Sequence, residues 1–210
     1  TFYQPSTSYR WKKRTDKPNP LLKPWQQRLA SYKKTLEKAP AAEKTALRRK
    51  IDHAERVIEE LKRYSFLISE YDPFIVVPLG VVNQSTPFSP QFGDYAVVIV
   101  GDKLYPALVG DAGPRYKTGE GSLRLSREIN PKAGPYSRPV SDLKVSYLIF
   151  PGSAEPEAGP PDYEKITDRC RELLNEIGGV GKGFNLHQWE DLLAPKPPPA
   201  PKPESGGTAE

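Results

Sequence analysis

The spacing of hydrophobic positions along the chain passes from helical to strand-like near Tyr71. Before it, Trp25, Leu29, Tyr32 and Leu36 recur at steps of four and three, the seam of an amphipathic helix. Ala39 and Pro40 interrupt that seam, and Leu47, Ile51, Ala54, Ile58 and Leu61 resume it to about Tyr64. Two such stripes around one tight turn predict an antiparallel helical hairpin over 24–64.

After Tyr71 the rhythm is that of strands. Residues 73–79, PFIVVPL, form an apolar run suited to a strand covered on both faces, with Pro78 marking an edge. Residues 94–100 and 104–109 flank Gly101–Asp102, a two-residue hairpin signal. Residues 110–114 break the periodicity. Gly119–Glu120–Gly121 then restarts the chain into 122–126, whose alternation predicts another half-buried strand, and 142–150 reads as the last one. Past a linker at 153–161, Asp162 is placed to cap a helix that runs to about Ile177. Ile166, Cys170, Leu173, Leu174 and Ile177 share one of its faces, and Gly178–Gly179 form its stop.

The pattern predicts an α+β protein with a β-barrel-like antiparallel core, an N-terminal helical hairpin and one C-terminal helix. The expected division is a basic extended arm over 1–23, the hairpin over 24–64, the barrel domain with its helix over 71–193, and a disordered Pro-rich tail over 194–210.

Composition narrows the function classes. Cys170 is the one cysteine, which excludes an intrachain disulfide and a cysteine-based zinc site. His53 and His187 lie in unrelated segments and read as ordinary surface residues. No apolar run is long enough to span a bilayer. The chain begins at Thr1 without a charged-then-apolar leader, which reads as a processed or trimmed form. A net charge of +5 hides an asymmetry: 17 basic residues face 8 acidic ones over 1–71, and 14 face 18 thereafter. The basicity therefore belongs to the N-terminal part, where Arg10–Trp11–Lys12–Lys13–Arg14 is the densest cluster.

The stretch over 93–126 carries the candidate chemistry. Asp111 and Glu120 bracket one loop between two predicted strands, an arrangement in which rigid elements hold two carboxylates around a ligand. On spacing alone, a turn aspartate and a solvated glutamate account for them equally well. The stretch resembles the core of the glycoside hydrolase family 75 chitosanases, whose strand pair of the type YAVVxxGxKLYxxxxGD precedes a variable loop and a GEaSxxLs segment. The matching residues are 95–98, Lys103–Leu104–Tyr105, Gly110–Asp111, Gly119–Glu120, Ser122, Leu125 and Ser126. Residues 145–152, VSYLIFPG, look like that family's late core strand.

The resemblance implies endo-hydrolysis of the β-1,4 bonds of chitosan with inversion. Asp111 and Glu120 are then the catalytic pair, and Tyr105, Tyr116 and Ser122 the expected sugar contacts. It implies no cofactor and no metal, a polysaccharide as the partner with no nucleic acid, and a secreted or periplasmic location. Two other readings compete. One is a binding or structural module that keeps the barrel without the chemistry, favoured by the unusual Ala112–Gly113–Pro114 continuation. The other is a nucleic-acid or anionic-polymer binder working through residues 1–64, although RNP, zinc-finger and helix-turn-helix signatures are all missing.

Overall fold

The computed structural model describes residues 8–13, 19, 21–82, 84–135, 137 and 144–192. The tail expected from Ala194, most of the basic arm, and the start of the strand expected at Asp142 lie outside the described residues.

Asn19 turns the chain into α1 (Leu22–Lys38): its side-chain oxygen accepts from the Leu21 amide at 2.9 Å and its carbonyl from that of Leu22 at 2.9 Å. Ala39 is extended ahead of Pro40, the conformation a residue before proline prefers, and α2 (Ala41–Arg63) starts directly after it. The two predicted stripes meet. Trp25 of α1 packs against Ala54, Val57, Ile58 and Leu61 of α2, with Leu29 and Tyr32 completing the seam. The cross-helix ion pair Lys33–Glu55 is about half exposed on both sides, so the apolar seam and not the charges holds the hairpin.

A short strand pair ties the hairpin to the rest of the molecule. β1 (Arg10–Lys12) runs antiparallel to β2 (Tyr64–Phe66), and Arg10 lies 4.5 Å from the Tyr64 ring centre. Tyr9, next to this strand, is buried in the main core.

The curled sheet contains β3 (Phe74–Pro78), β4 (Tyr95–Val100), β5 (Lys103–Gly113), β6 (Glu120–Gly121) and β7 (Val145–Ile149) in the order β6-β3-β5-β4-β7. A final short strand, β8 (Asn185–Leu186), pairs with the start of β5. The pairing is antiparallel except for β3–β5 and β5–β8, which are parallel.

Both faces of the sheet are covered, which explains why β4 reads as continuously apolar. On one face Tyr95, Val97, Leu108 and Phe74 pack against Ile166, Cys170, Leu173 and Leu174 of α4 (Tyr163–Glu176). On the other, Ile75, Val77, Ala96, Val98, Tyr105, Ala107 and Val109 pack against Leu125 and Trp189. Each fully buried aliphatic side chain here contributes on the order of 1.5–3 kcal/mol. Asp162 caps α4 as expected, accepting from the Lys165 amide at 3.0 Å. Burial pushes the Cys170 thiol up to about 12, so it serves packing. Ile177, expected on the buried face, is the residue after the helix and is 62% exposed.

Two sequence expectations are corrected. Residues 110–113 do not leave the sheet, because β5 continues through Gly113. Residues 122–126 are not a strand, because helix α3 (Leu123–Ile129) begins there. The helix wins because its first amides all find acceptors. Leu123 donates to the Ser69 hydroxyl (2.8 Å), Arg124 to the Ser69 carbonyl (2.7 Å) and Leu125 to the Ser122 hydroxyl (3.2 Å). Ser69 comes from a remote segment, so half of that cap is invisible locally.

Candidate active site

A single bulge determines which way Asp111 points. Ile75 of β3 pairs with Val109 of β5, yet the next residue, Val76, pairs with Asp111. Gly110 is thus an extra residue in β5, and it inverts the alternation of everything after it. Without it, Asp111 would share the face of Val109, beneath Leu125 and Trp189. With it, Asp111 joins Val76 on the face of Phe74 and Leu108. The position demands glycine: a Cβ there would stand 2.7 Å from both Leu67 Cδ1 and Phe74 Cγ.

Val76 has a second partner. On its other side it pairs with Glu120 of β6. Asp111 and Glu120 therefore flank Val76 at the same level and project from the same face. Their α-carbons lie two strand spacings apart, roughly 9–10 Å. The Glu120 side chain leans toward β5, since its Oε2 lies 2.7 Å from where a Cβ on Gly113 would be. Gly113, two residues past Asp111 on the same face, leaves room for that carboxylate.

Both carboxyl groups are half-buried and hydrogen-bonded. Asp111 Oδ1 accepts from the Ser8 hydroxyl at 2.7 Å and from the Ala112 amide at 2.9 Å. Glu120 Oε1 accepts from Lys117, whose side chain is 56% exposed, so that pair is screened by solvent. The Tyr147 hydroxyl donates to the Glu120 carbonyl at 3.0 Å and holds the short β6 strand in place. Burial, with Glu120 nearby, pushes the Tyr147 phenol up to about 12, so it remains a neutral donor. The loop between the carboxylates closes through a turn, Lys117 N to Pro114 O at 3.1 Å, and Gly119 takes a positive φ of 80°.

The other three sequence candidates fare differently. Tyr116 stands 90% exposed at the tip of the loop between the carboxylates. Tyr105 is 3% exposed beside Trp189, and Ser122 is fully buried as the α3 cap, so neither offers surface to a polymer. His53 is exposed, as expected, while His187 is half-buried. His53 meets the Trp25 ring edge-on at 5.6 Å, and His187 meets that of Trp189 at 4.4 Å. Among the described residues no group of three or more His, Cys, Asp and Glu side chains could hold a metal ion.

One titratable group escaped the sequence reading. Asp72 is 6% exposed and accepts from the Tyr163 hydroxyl at 2.8 Å and from the Ile68 amide. Burial is the main cause that pushes its carboxyl up to about 6. It precedes β3 by two residues and fastens the start of the strand to α4. An open depression of about 340 Å³ lined by Asp162, Glu164, Lys165, Asp168, Arg169 and Glu172 lies on α4 and includes neither Asp111 nor Glu120.

The family model described as fungal chitosanase of glycosyl hydrolase group 75 matches residues 23–182. The matched span takes in the helical hairpin, the whole sheet up to β7, and α4. No curated protein matches the chain.

Proposed function

The chain belongs to glycosyl hydrolase group 75, a family of chitosan-degrading glycoside hydrolases, and from that premise we propose that it cleaves chitosan internally, with inversion, using Asp111 and Glu120 as the catalytic pair. The observation that carries this reading is their shared register with Val76, which puts the two residues on one face, two strands apart. Inverting hydrolysis requires one carboxyl to protonate the leaving oxygen and the other to activate a water, at a separation of roughly 6.5–9.5 Å. Two side chains rising from α-carbons two strands apart, one leaning inward, fit that requirement.

The surroundings favour a polymer. Both groups keep partial access to solvent on the sheet face they share, which suits a long chain lying across them better than one entering end-first. Tyr116 is placed to meet a sugar ring, and Lys117 is exposed enough to yield Glu120 to a substrate. The excess of acidic residues after residue 71 suits a polycation. A substrate too large to cross a membrane puts the reaction outside the cytoplasm, which supports a secreted or periplasmic enzyme. No helix among the described residues is long and apolar enough to cross a membrane.

The test is release of reducing ends from chitosan by the wild type, Glu120→Gln and Asp111→Asn. Each substitution keeps shape and removes one proton-transfer group, so turnover should fall by roughly 10²–10⁴-fold with folding retained. Wild-type turnover in either variant sinks the assignment. A wild type that binds chitosan and never cuts it makes the chain a binding module.

A further inference from the structure

The basic arm contributes to the site from outside the family-matched residues. Ser8 precedes the matched span by fifteen positions, yet its hydroxyl donates to Asp111 Oδ1 at 2.7 Å across 103 residues of sequence. We infer that Ser8 is a positioning residue for Asp111, so that the arm completes the catalytic geometry that the sheet begins. This inference rests on the assignment of Asp111 to the chemistry.

The arm is held firmly enough for the task. Three register pairs join β1 to β2, and the Lys13 amide donates to the Arg63 carbonyl at 3.4 Å. Arg10 bonds Glu60 at 2.5 Å. Next to Ser8, Tyr9 is buried against the sheet's α4-bearing face, its ring 3.0 Å from where a Cβ on Gly93 would stand. The Tyr9 hydroxyl reaches the Gly159 carbonyl at 3.4 Å. Ser8 is therefore presented from a fixed backbone.

Its effect on Asp111 follows from carboxylate geometry. The terminal torsion of an aspartate is broad and nearly two-fold, so one local hydrogen bond leaves the carboxyl plane loosely set. The Ala112 amide supplies that local bond to Oδ1, and Ser8 supplies a second donor to the same atom from another direction. Among the described residues both recorded bonds fall on Oδ1, which leaves Oδ2 to exchange a proton with water or substrate. Whichever role Asp111 plays, the proton passes through an oxygen whose direction Ser8 sets. Loose placement of a catalytic group by about 1 Å can cost 10²-fold in rate.

The experiment compares Ser8→Ala, Ser8→Thr and Asp111→Asn in the full chain, with a soluble glucosamine oligomer as substrate. Ser8→Ala should lower kcat by about 10–100-fold at nearly unchanged KM. Its thermal midpoint should move by no more than about 4 °C, as expected for one lost hydrogen bond. Ser8→Thr keeps the hydroxyl and should restore most of kcat. Full kcat in Ser8→Ala overturns the inference, as does a loss carried by KM alone, a loss matched by unfolding, or a Ser8→Thr as slow as Ser8→Ala. Asp111→Asn separates the two claims. If it is inactive while Ser8→Ala is normal, only the positioning role fails; if it is fully active, the catalytic assignment fails first.

Discussion

The helical hairpin and the carboxylate-bearing sheet sit in one chain and are organised on different principles. In the hairpin the seam joins residues whose spacing repeats: Trp25 and Leu29 meet Ala54, Ile58 and Leu61 across one turn. Its charges stay at the surface, as in Lys33–Glu55 and Lys62–Glu59. In the sheet, the decisive contacts join segments far apart. Asp111, Val76 and Glu120 line up only because β3 is inserted between β5 and β6, and Ser8 and Ser69 reach in from elsewhere. Local repetition supplies stability that tolerates variation, and nonlocal register supplies a geometry that one residue can undo.

The sharpest way to break that contrast is Gly110→Ala. The added methyl would meet Leu67 and Phe74 at 2.7 Å, so the bulge must shift or unwind, carrying Asp111 with it. Turnover should fall by at least about 100-fold, and overpacking should cost roughly 1–3 kcal/mol of stability. Denaturant unfolding and reducing-end assays on the same preparation read both. A variant with normal turnover would show that the bulge does not govern the site.

The hairpin counterpart is Leu61→Ala, at a fully buried position of α2. It should cost about 2–5 kcal/mol, the usual range for emptying a leucine site. Specific activity of the folded protein should stay near wild type, because the seam is separate from Val76 and its neighbours. A drop in turnover comparable to that of Gly110→Ala would erase the distinction between the two regions.

The smallest effect separates them by pH. Asp72 belongs to the sheet side, and burial pushes its carboxyl up to about 6 from the ordinary 3.8. Between those values the folded state holds the extra proton, so this group's contribution to stability is most favourable below about pH 4 and declines as pH rises to 6. The full change is up to about 3 kcal/mol. Asp72→Asn keeps the acceptor for Tyr163 and should flatten that decline. His187, lowered by burial, acts in the opposite sense, with stability rising as pH rises below 6.5. The quantity to read is therefore the variant-minus-wild-type difference in urea unfolding from pH 4 to 7. An unchanged slope would mean that Asp72 does not carry the response.

Much of this protein was legible in its sequence. The stripes of α1 and α2, the Gly101–Asp102 turn and the Asp162 cap are set by neighbours within a few residues, and short-range sterics and hydrogen bonds suffice to specify them. Asp111 and Glu120 also stood out as candidates, on their place around a glycine-bounded loop and on a family resemblance. Tertiary structure decided the rest. Gly110 looked like the start of a loop and is a bulge inside a strand, because only its pairing with β3 reveals the extra residue. Residues 122–126 alternated like a strand and form a helix, because Ser69 arrives from fifty residues away to satisfy its first amides. Tyr105 and Ser122 carry polar groups that could have faced a sugar, and the two-sided packing of the sheet buried them instead. In each case the deciding partner is remote in sequence, and a free energy that depends on two distant segments meeting leaves no periodic trace in either one.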